Sequence, residues 1–271
     1  MTDTERKLAR LQEILRGLGR VCIAFSGGVD STFLLRTAVD TLGADRVLAV
    51  IGDSESLPRH DLAEALGLAQ EFGVSCQVIQ SDEMADSRYA ANTPDRCYFC
   101  KVALFTKIQQ LARERGPAVV LDGTNADDAG DRRPGRRAAR ELGVRSPLLE
   151  AGLTKAEVRE LSRRLGLATA DKPAQACLAS RLPYGTPVTA AVLAQVEAAE
   201  SFLHHLGFTQ VRVRHHGPVA RIELVPAELT RLLDPALRQQ VDAHLKGLGY
   251  QYVSADLQGY RTGSLNEALS A

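Results

Sequence analysis

The sequence predicts an α/β protein with a doubly wound parallel sheet, followed by a smaller C-terminal α+β domain. Over the first half of the chain, short apolar runs alternate with helical patterns, which is typical of parallel strands connected by helices. The predicted strands cover 21–25, 47–51, 75–79 and 118–121, and helical patterns cover 4–18, 33–39, 58–72 and 101–115. A chain of 271 residues, of which 45% are hydrophobic, can build a core of this size.

The C-terminal part has a different order of elements. A capping box at Thr154–Glu157 begins a helix to 165, and the irregular segment 168–187 holds three prolines. The predicted elements after it are a helix over 189–206, strands over 210–214 and 219–225, a helical stretch over 226–246 and a last strand over 249–254. We therefore predict three regions: a nucleotide-binding domain 1–170, a junction loop 171–187 and a small domain 188–271.

The overall charge argues against large-area binding of nucleic acid and leaves a local basic patch possible. Lys plus Arg and Asp plus Glu both number 33, so the chain lacks the basic excess of a protein that covers nucleic acid.

The polar N-terminus has no apolar signal-peptide core, and no apolar run approaches membrane-spanning length. These features predict a cytoplasmic protein with no membrane partner, in which five cysteines are not expected to form disulfides.

A glycine turn between the first strand and the next helix is the strongest local signal. Residues 25–32 read Phe-Ser-Gly-Gly-Val-Asp-Ser-Thr. Gly27 and Gly28 allow a sharp bend, and N–H groups at a helix start attract phosphate. Ser31 or Thr32 is expected to cap the first helical turn. The turn is not a Walker loop, because the chain contains no Gly-Lys-Ser/Thr.

A second polar loop, residues 122–128, follows the fourth predicted strand. If the strand order is 3-2-1-4, this loop and the glycine turn face one crevice at the carboxyl edge of the sheet. Asp30 and Asp128 would then be oxygen ligands for Mg²⁺. The dense basic run 132–137 is predicted to be a solvated loop.

One cysteine lies in the irregular junction loop. Cys177 has Lys172 and Arg181 nearby in sequence, and cationic neighbours favour a thiolate. Cys177 is therefore a candidate nucleophile, although a lone cysteine is often only a small buried hydrophobe.

The remaining cysteines divide into two kinds. Cys97 and Cys100 form a Cys-x-x-Cys pair, which suits a redox pair, half of a zinc site or iron–sulfur ligands. Cys22 and Cys76 lie in predicted strands and are expected in the core. Three loop cysteines without a fourth fit a [4Fe–4S] cluster with one open iron.

Two arginines alternate on a strand of the small domain. Arg212 and Arg214 project from the same face, where paired guanidiniums suit a phosphate or a carboxylate. The other interpretation is an exposed polar face of a half-buried strand.

Taken together, four motifs resemble one family. The Ser-Gly-Gly-Val-Asp-Ser turn is similar to the PP-loop of the ATP pyrophosphatases, which have a HUP-like fold. The turn, residues 97–101, residues 122–128 and the loop 172–181 together resemble the LarE family. Its members are ATP-dependent sulfur transferases that help make the nickel-pincer nucleotide cofactor. The resemblance extends from the first strand through Arg214.

The resemblance implies a mechanism and roles for individual residues. ATP adenylates a carboxylate of pyridinium biscarboxylate mononucleotide, pyrophosphate leaves, and a sulfur nucleophile displaces AMP. Cys177 would be the nucleophile and become dehydroalanine, and Glu200 would assist sulfur release. The family also implies a homo-oligomer. The implied ligand contacts are Ser26, Gly27, Gly28, Asp30, Ser31, Thr32, Gly123 and Asn125 for ATP, with Arg181, Arg212 and Arg214 for the substrate phosphate.

The chain departs from the single-cysteine members of this family by having Cys97 and Cys100. We therefore expect a second way of delivering sulfur. In it, Cys97, Cys100 and Cys177 hold a [4Fe–4S] cluster whose open iron carries a sulfide.

Three other interpretations remain. A PP-loop tRNA thiolase also combines such a loop with cysteines, but it needs RNA contact, which the neutral charge disfavours. A glutamine-fed synthetase would need a glutaminase domain, which this sequence does not contain. A nucleotide-binding or iron–sulfur sensor would bind without releasing pyrophosphate.

Overall fold

The structure is a computed structural model that describes residues 1–116, 118–130, 134–261 and 264–265. The chain divides into two compact units. The first comprises Met1–Tyr89 and Pro94–Lys172, and the second comprises Ala90–Thr93 and Pro173–Ala271. The predicted junction 171–187 thus falls mostly in the second unit, which also includes the distant segment Ala90–Thr93. Within the described residues, no helix is both long enough and apolar enough to cross a membrane.

The first unit alternates strands and helices. Its elements are α1 (Asp3–Leu18), β1 (Val21–Ala24), α2 (Val29–Leu42), β2 (Val47–Asp53), α3 (Arg59–Glu71), β3 (Ser75–Gln80), α4 (Ser87–Ala90), α5 (Arg96–Glu114), β4 (Val119–Leu121), α6 (Pro134–Glu141), α7 (Pro147–Glu150) and α8 (Lys155–Arg164). Each predicted strand and helix of this half is present, with ends shifted by a few residues. The capping box of Thr154 and Glu157 begins α8 as predicted.

The strand order in the first unit is β3-β2-β1-β4, and the pairs are parallel. The prediction of a doubly wound α/β sheet with order 3-2-1-4 is confirmed. Both faces of β1 are covered, because Val21 and Ile23 pack in one apolar cluster and Cys22 packs in another. The carboxyl ends of β1 and β4 are therefore adjacent at one edge, which brings the segments after them together.

The second unit has its own sheet and core. Its elements are α9 (Ala190–His205), β5 (Val211–His216), β6 (Val219–Leu224), α10 (Pro226–Leu229), α11 (Pro235–Gly247) and β7 (Tyr252–Ala255). The strand order is β5-β6-β7, with β5 and β6 antiparallel and β7 parallel to β6. Val211 and Val213 face the core, so Arg212 and Arg214 project from the other face of the sheet.

Three local predictions were wrong. Cys97 and Cys100 lie in the first turns of α5 and not in a loop. The basic run 132–137 was predicted as a loop, but α6 begins at Pro134, and residues 132 and 133 lie outside the described residues. The helical stretch 226–246 is interrupted, because Asp234 has a non-helical backbone and caps α11 with its carboxylate.

Candidate functional site

Hydrogen bonds of the Ser31 side chain hold the glycine turn together. They do not cap the helix that follows. Ser31 Oγ accepts the N–H of Ser26 at 3.3 Å and lies 3.2 Å from the carbonyl of Gly28, to which it can donate. Gly28 is the N-cap of α2, and no side chain caps this helix start. The predicted capping role of Ser31 or Thr32 is therefore wrong. An uncapped helix start leaves backbone N–H groups for an anion such as phosphate.

Two glycines at this edge are required by close packing. Gly27 has a φ of +68°, and a Cβ there would lie 3.0 Å from the Cβ of Ala65. A Cβ on Gly123 would lie 2.9 Å from the backbone nitrogen of Ser31. The segments after β1 and β4 thus approach each other closely enough to form one backbone cradle, and Asn125 belongs to the second of them.

Asn125 connects the two carboxylates that were predicted to hold Mg²⁺. Its side-chain amide donates to Asp30 Oδ1 at 3.2 Å, and its backbone N–H donates to Asp128 Oδ2 at 3.0 Å. Carboxylates held in this way fit Mg²⁺, which in nucleotide sites takes one or two protein carboxylates together with phosphate oxygens. Asp30 and Asp128 would hold the ion, and Mg²⁺ would neutralise phosphate charge during pyrophosphate release.

Two lysines contact this site, and no sequence motif predicts either of them there. Lys155 Nζ lies 2.5 Å from Asp30 Oδ2. Lys172 Nζ donates to the carbonyl of Gly27 at 3.3 Å and pairs with Glu64 at 2.6 Å. Both lysines add positive charge beside a turn suited to phosphate. The sequence predicts Lys172 only as a neighbour of Cys177.

In the second unit, the segment around Cys177 is fixed by one arginine. Arg181 Nη1 donates to the carbonyls of Ala176 and Cys177 at 2.6 and 3.0 Å. Its Nε and Nη2 donate to the two carboxylate oxygens of Glu200 at 2.9 and 2.8 Å. Cys177 itself is partly buried and precedes a short 3₁₀ helix, residues 178–181.

The Arg181–Glu200 pair is buried, with 3% and 5% of the two side chains exposed. Glu200 Oε1 also accepts the N–H of Val213 at 2.8 Å, so the carboxylate joins the Cys177 segment to β5. Burial opposes ionisation, but the charge and hydrogen bonds of Arg181 keep the pKa of Glu200 below its usual value. The donors of Arg181 contact Glu200, backbone carbonyls and the hydroxyl of Ser180, so its predicted role as a ligand of the substrate phosphate remains a prediction.

The predicted arginine pair lies on one face of β5, as expected. Arg214 donates to the carbonyl of Ser180 at 2.9 Å and to Glu223 at 2.7 Å, and its Nε is buried without a hydrogen-bond partner among the described residues. Arg212 donates to the carbonyl of Ala174 at 3.3 Å. Burial and then the charge of Arg181 lower the pKa of Arg212.

The cysteine pair of the first unit is arranged on one helix. Cys97 is exposed and Cys100 is partly buried, and a spacing of three residues puts them on the same side of α5. In the part of the chain that the structure describes, no group of three or more His, Cys, Asp or Glu side chains could hold a metal ion. The iron–sulfur cluster therefore remains a prediction.

The strand order, the glycine turn and the uncapped helix start define an ATP-using protein of the PP-loop class. The family model of NAD synthase matches residues 10–118, which include this turn. The NH(3)-dependent NAD(+) synthetase of Hyperthermus butylicus is 39% identical over 103 residues, covering 35% of this chain and 37% of the relative.

Two relatives match almost the full length. The pyridinium-3,5-bisthiocarboxylic acid mononucleotide synthase of Lactiplantibacillus plantarum is 42% identical over 270 residues, covering 100% of this chain and 97% of the relative. An uncharacterized protein of Synechocystis sp. is 44% identical over 266 residues, covering 98% of this chain and 99% of the relative. The chain belongs to the family of the pyridinium-3,5-bisthiocarboxylic acid mononucleotide synthase, the LarE family.

Proposed function

We propose that this protein uses ATP to convert the carboxylates of pyridinium-3,5-biscarboxylate mononucleotide into thiocarboxylates, in the biosynthesis of the nickel-pincer nucleotide cofactor. The observation that carries the proposal is the match to the Lactiplantibacillus plantarum synthase over 97% of its length, together with the phosphate-binding turn at Gly27 and Gly28. The NAD synthase match covers only the segment with this turn, so it supports ATP use and does not identify the acceptor.

The first step uses the first unit. The substrate carboxylate attacks the α-phosphorus of ATP, the bond to the β-phosphate bridging oxygen breaks, and pyrophosphate leaves. The first-turn N–H groups of α2, which have no side-chain cap, are proposed to bind the leaving phosphates. Asp30, Asn125 and Asp128 lie beside this turn and are proposed to orient ATP and Mg²⁺.

The second step uses the second unit. The thiolate of Cys177 attacks the acyl carbon, the acyl carbon–oxygen bond breaks, and AMP leaves. Removal of the Cys177 α-proton by a base, with cleavage of its Cβ–Sγ bond, then releases the thiocarboxylate and leaves dehydroalanine. Arg212 and Arg214 are proposed to hold the substrate phosphate. Arg181 and Glu200 are proposed as positioning residues, because they fix the backbone of Cys177, and Glu200 is also proposed to assist the release of sulfur.

The cluster offers another source of sulfur. Cys97, Cys100 and Cys177 are proposed ligands of a [4Fe–4S] cluster, which would supply sulfide and spare the Cys177 side chain. The two sources differ in stoichiometry. A product with two thiocarboxylates consumes two protein chains if Cys177 is sacrificed, whereas a cluster that is resupplied with sulfide supports many turnovers.

The test is a single-turnover reaction with ATP, Mg²⁺ and the pyridinium substrate under anaerobic conditions. Mass spectrometry would follow the thiocarboxylate and the protein, and a coupled assay would follow pyrophosphate. We expect Cys177→Ser to abolish the product while adenylation continues, and Cys76→Ser to serve as the matched control. Wild-type protein that releases no pyrophosphate and forms no thiocarboxylate contradicts the proposal.

Iron and sulfide analysis separates the two sources of sulfur. Protein without iron whose Cys177 loses the equivalent of H₂S excludes the cluster. Bound iron and sulfide, lost in Cys97→Ser and Cys100→Ser, exclude the sacrificial version if Cys177 stays intact during turnover.

The remaining assignments are also proposals. We propose that the region 188–271 binds the substrate and contributes to a homo-oligomer, that the junction 171–187 presents Cys177, and that the protein acts in the cytoplasm. Size-exclusion chromatography with light scattering would test the oligomer, and a monomer at assay concentration would contradict it.

A further inference from the structure

Asp30 already has a cationic partner in this structure. Lys155 Nζ lies 2.5 Å from one carboxylate oxygen, and the amide of Asn125 donates to the other. Asp30 lies in the first turn of α2, beside the turn that suits phosphate. A bare carboxylate there would repel phosphate, so a cation must neutralise Asp30 at each stage of binding.

The backbone of Lys155 is fixed, whereas its side chain is long and partly exposed. The Lys155 N–H donates to Asp127 at 2.9 Å, and the capping box of Thr154 and Glu157 holds the start of α8. The ammonium group is carried on a flexible four-carbon stem, and a third of the side chain is exposed, 33%. A partly exposed ion pair contributes little to stability, so it can be exchanged at low cost.

Mg²⁺ bound to Asp30 would compete with Lys155 for the same carboxylate. A metal ion on Asp30 Oδ2 would be repelled by an ammonium group that lies 2.5 Å from that oxygen. Phosphates bound at the turn would offer the ammonium group another anion, and Lys is a common point-charge ligand of phosphate.

We propose that Lys155 exchanges partners when ATP binds: Mg²⁺ replaces it on Asp30, and its ammonium group moves to a phosphate oxygen of ATP. This inference rests on the proposed use of ATP. It adds that the effect of Lys155 on binding affinity has opposite signs for the free metal ion and for the metal–nucleotide complex. Without ATP, Lys155 hinders metal binding. With ATP, it strengthens binding of the metal–nucleotide complex.

The test measures the affinity of Lys155→Met for the free metal ion and for the metal–nucleotide complex. This substitution removes the charge and keeps the length of the side chain. Mn²⁺ serves as the spectroscopic substitute for Mg²⁺. By electron paramagnetic resonance, we expect Mn²⁺ without nucleotide to bind about 2- to 5-fold tighter than in wild type, the range of a partly exposed ion pair. We expect MnATP to bind about 10- to 100-fold weaker, the range of a hydrogen bond to a charged group.

Two further variants control the test. Lys7→Met removes a lysine of α1 whose ammonium group pairs with Glu157 of α8 at 2.7 Å. This substitution should change neither affinity. Lys155→Arg retains a cation and should recover part of the MnATP affinity. Circular dichroism would confirm that each variant folds.

The outcomes separate this inference from the proposed function, because the binding measurements use no pyridinium substrate. Equal affinities in wild type and Lys155→Met, or a change of the same sign in both measurements, overturn the exchange. Wild-type protein that binds MnATP but makes no thiocarboxylate contradicts the proposed function alone.

Discussion

Replacing Glu200 with glutamine should destabilise the protein far more than removal of a surface charge. The change keeps the shape of the side chain but leaves the guanidinium of Arg181 without its counter-ion, where only 3% of the Arg181 side chain is exposed. It also turns the amide N–H₂ of the new side chain toward an N–H of Arg181 or of Val213. Breaking a buried ion pair from one side costs about 3–5 kcal/mol.

The assay is chemical denaturation followed by circular dichroism, and Asp242→Asn is the matched control. Asp242 pairs with Lys246 at 2.9 Å in the same unit, but both side chains are about half exposed, 44% and 49%. We expect the control to lose at most about 1 kcal/mol of unfolding free energy. If Glu200→Gln loses no more than the control, the buried pair does not brace the Cys177 segment.

Acidification of the wild-type protein should also remove the stabilising contribution of Glu200. The folded-state pKa of Glu200 is lower than its usual 4.5, so its stabilising contribution is present above pH 4.5 and is lost as pH falls through the lower folded value. Stability measured across this interval should fall less steeply in Glu200→Gln than in wild type. Parallel profiles would show that Glu200 is not the group that titrates.

The remaining predictions concern close packing and thiols. Gly123→Ala should lose about 1–3 kcal/mol of stability and bind ATP more weakly by calorimetry, because its Cβ would meet backbone atoms at the start of α2, whereas Gly67→Ala has open space and should not weaken ATP binding. Burial raises the pKa of both Cys22 and Cys76, so at mildly alkaline pH iodoacetamide should label the exposed Cys97 before it labels these two thiols. Mass spectrometry of the labelled peptides checks this order, and equal rates would contradict it.

The fold of the first unit could be predicted because its signals are local and consistent. Apolar runs and helical periods gave the elements, and the glycine turn after β1 fixed where the sheet changes direction. Cys97 and Cys100 were misplaced because the polar stretch before them gives no clear helix start. Asp95 precedes α5 but makes no capping bond with its side chain.

The burial of Glu200 could have been inferred from spacing. Leu193, Val196, Ala199 and Leu203 form the buried stripe of α9, and Glu200 lies within it. A carboxylate on such a stripe needs a buried cation, and Arg181 was already a candidate. The partner itself could not be predicted, because the sequence does not specify which distant side chain reaches the stripe.

Lys155 could not be assigned for a different reason. The sequence placed it correctly at the start of α8, but the ion pair with Asp30 joins positions 125 residues apart. A capping box predicts where a helix begins and says nothing about where its first side chain points. Only the packing of α8 against α2 reveals the contact.

The two ion pairs differ in burial, and this difference determines whether each pair can exchange partners. The pair of Asp30 and Lys155 has 22% and 33% of its side chains exposed, so water can replace either partner and the pair can exchange. The pair of Arg181 and Glu200 is almost completely buried, and opening it would leave charges without solvent. A site that must admit and release a charged nucleotide needs the first kind, and a segment that must hold a nucleophile in one position needs the second.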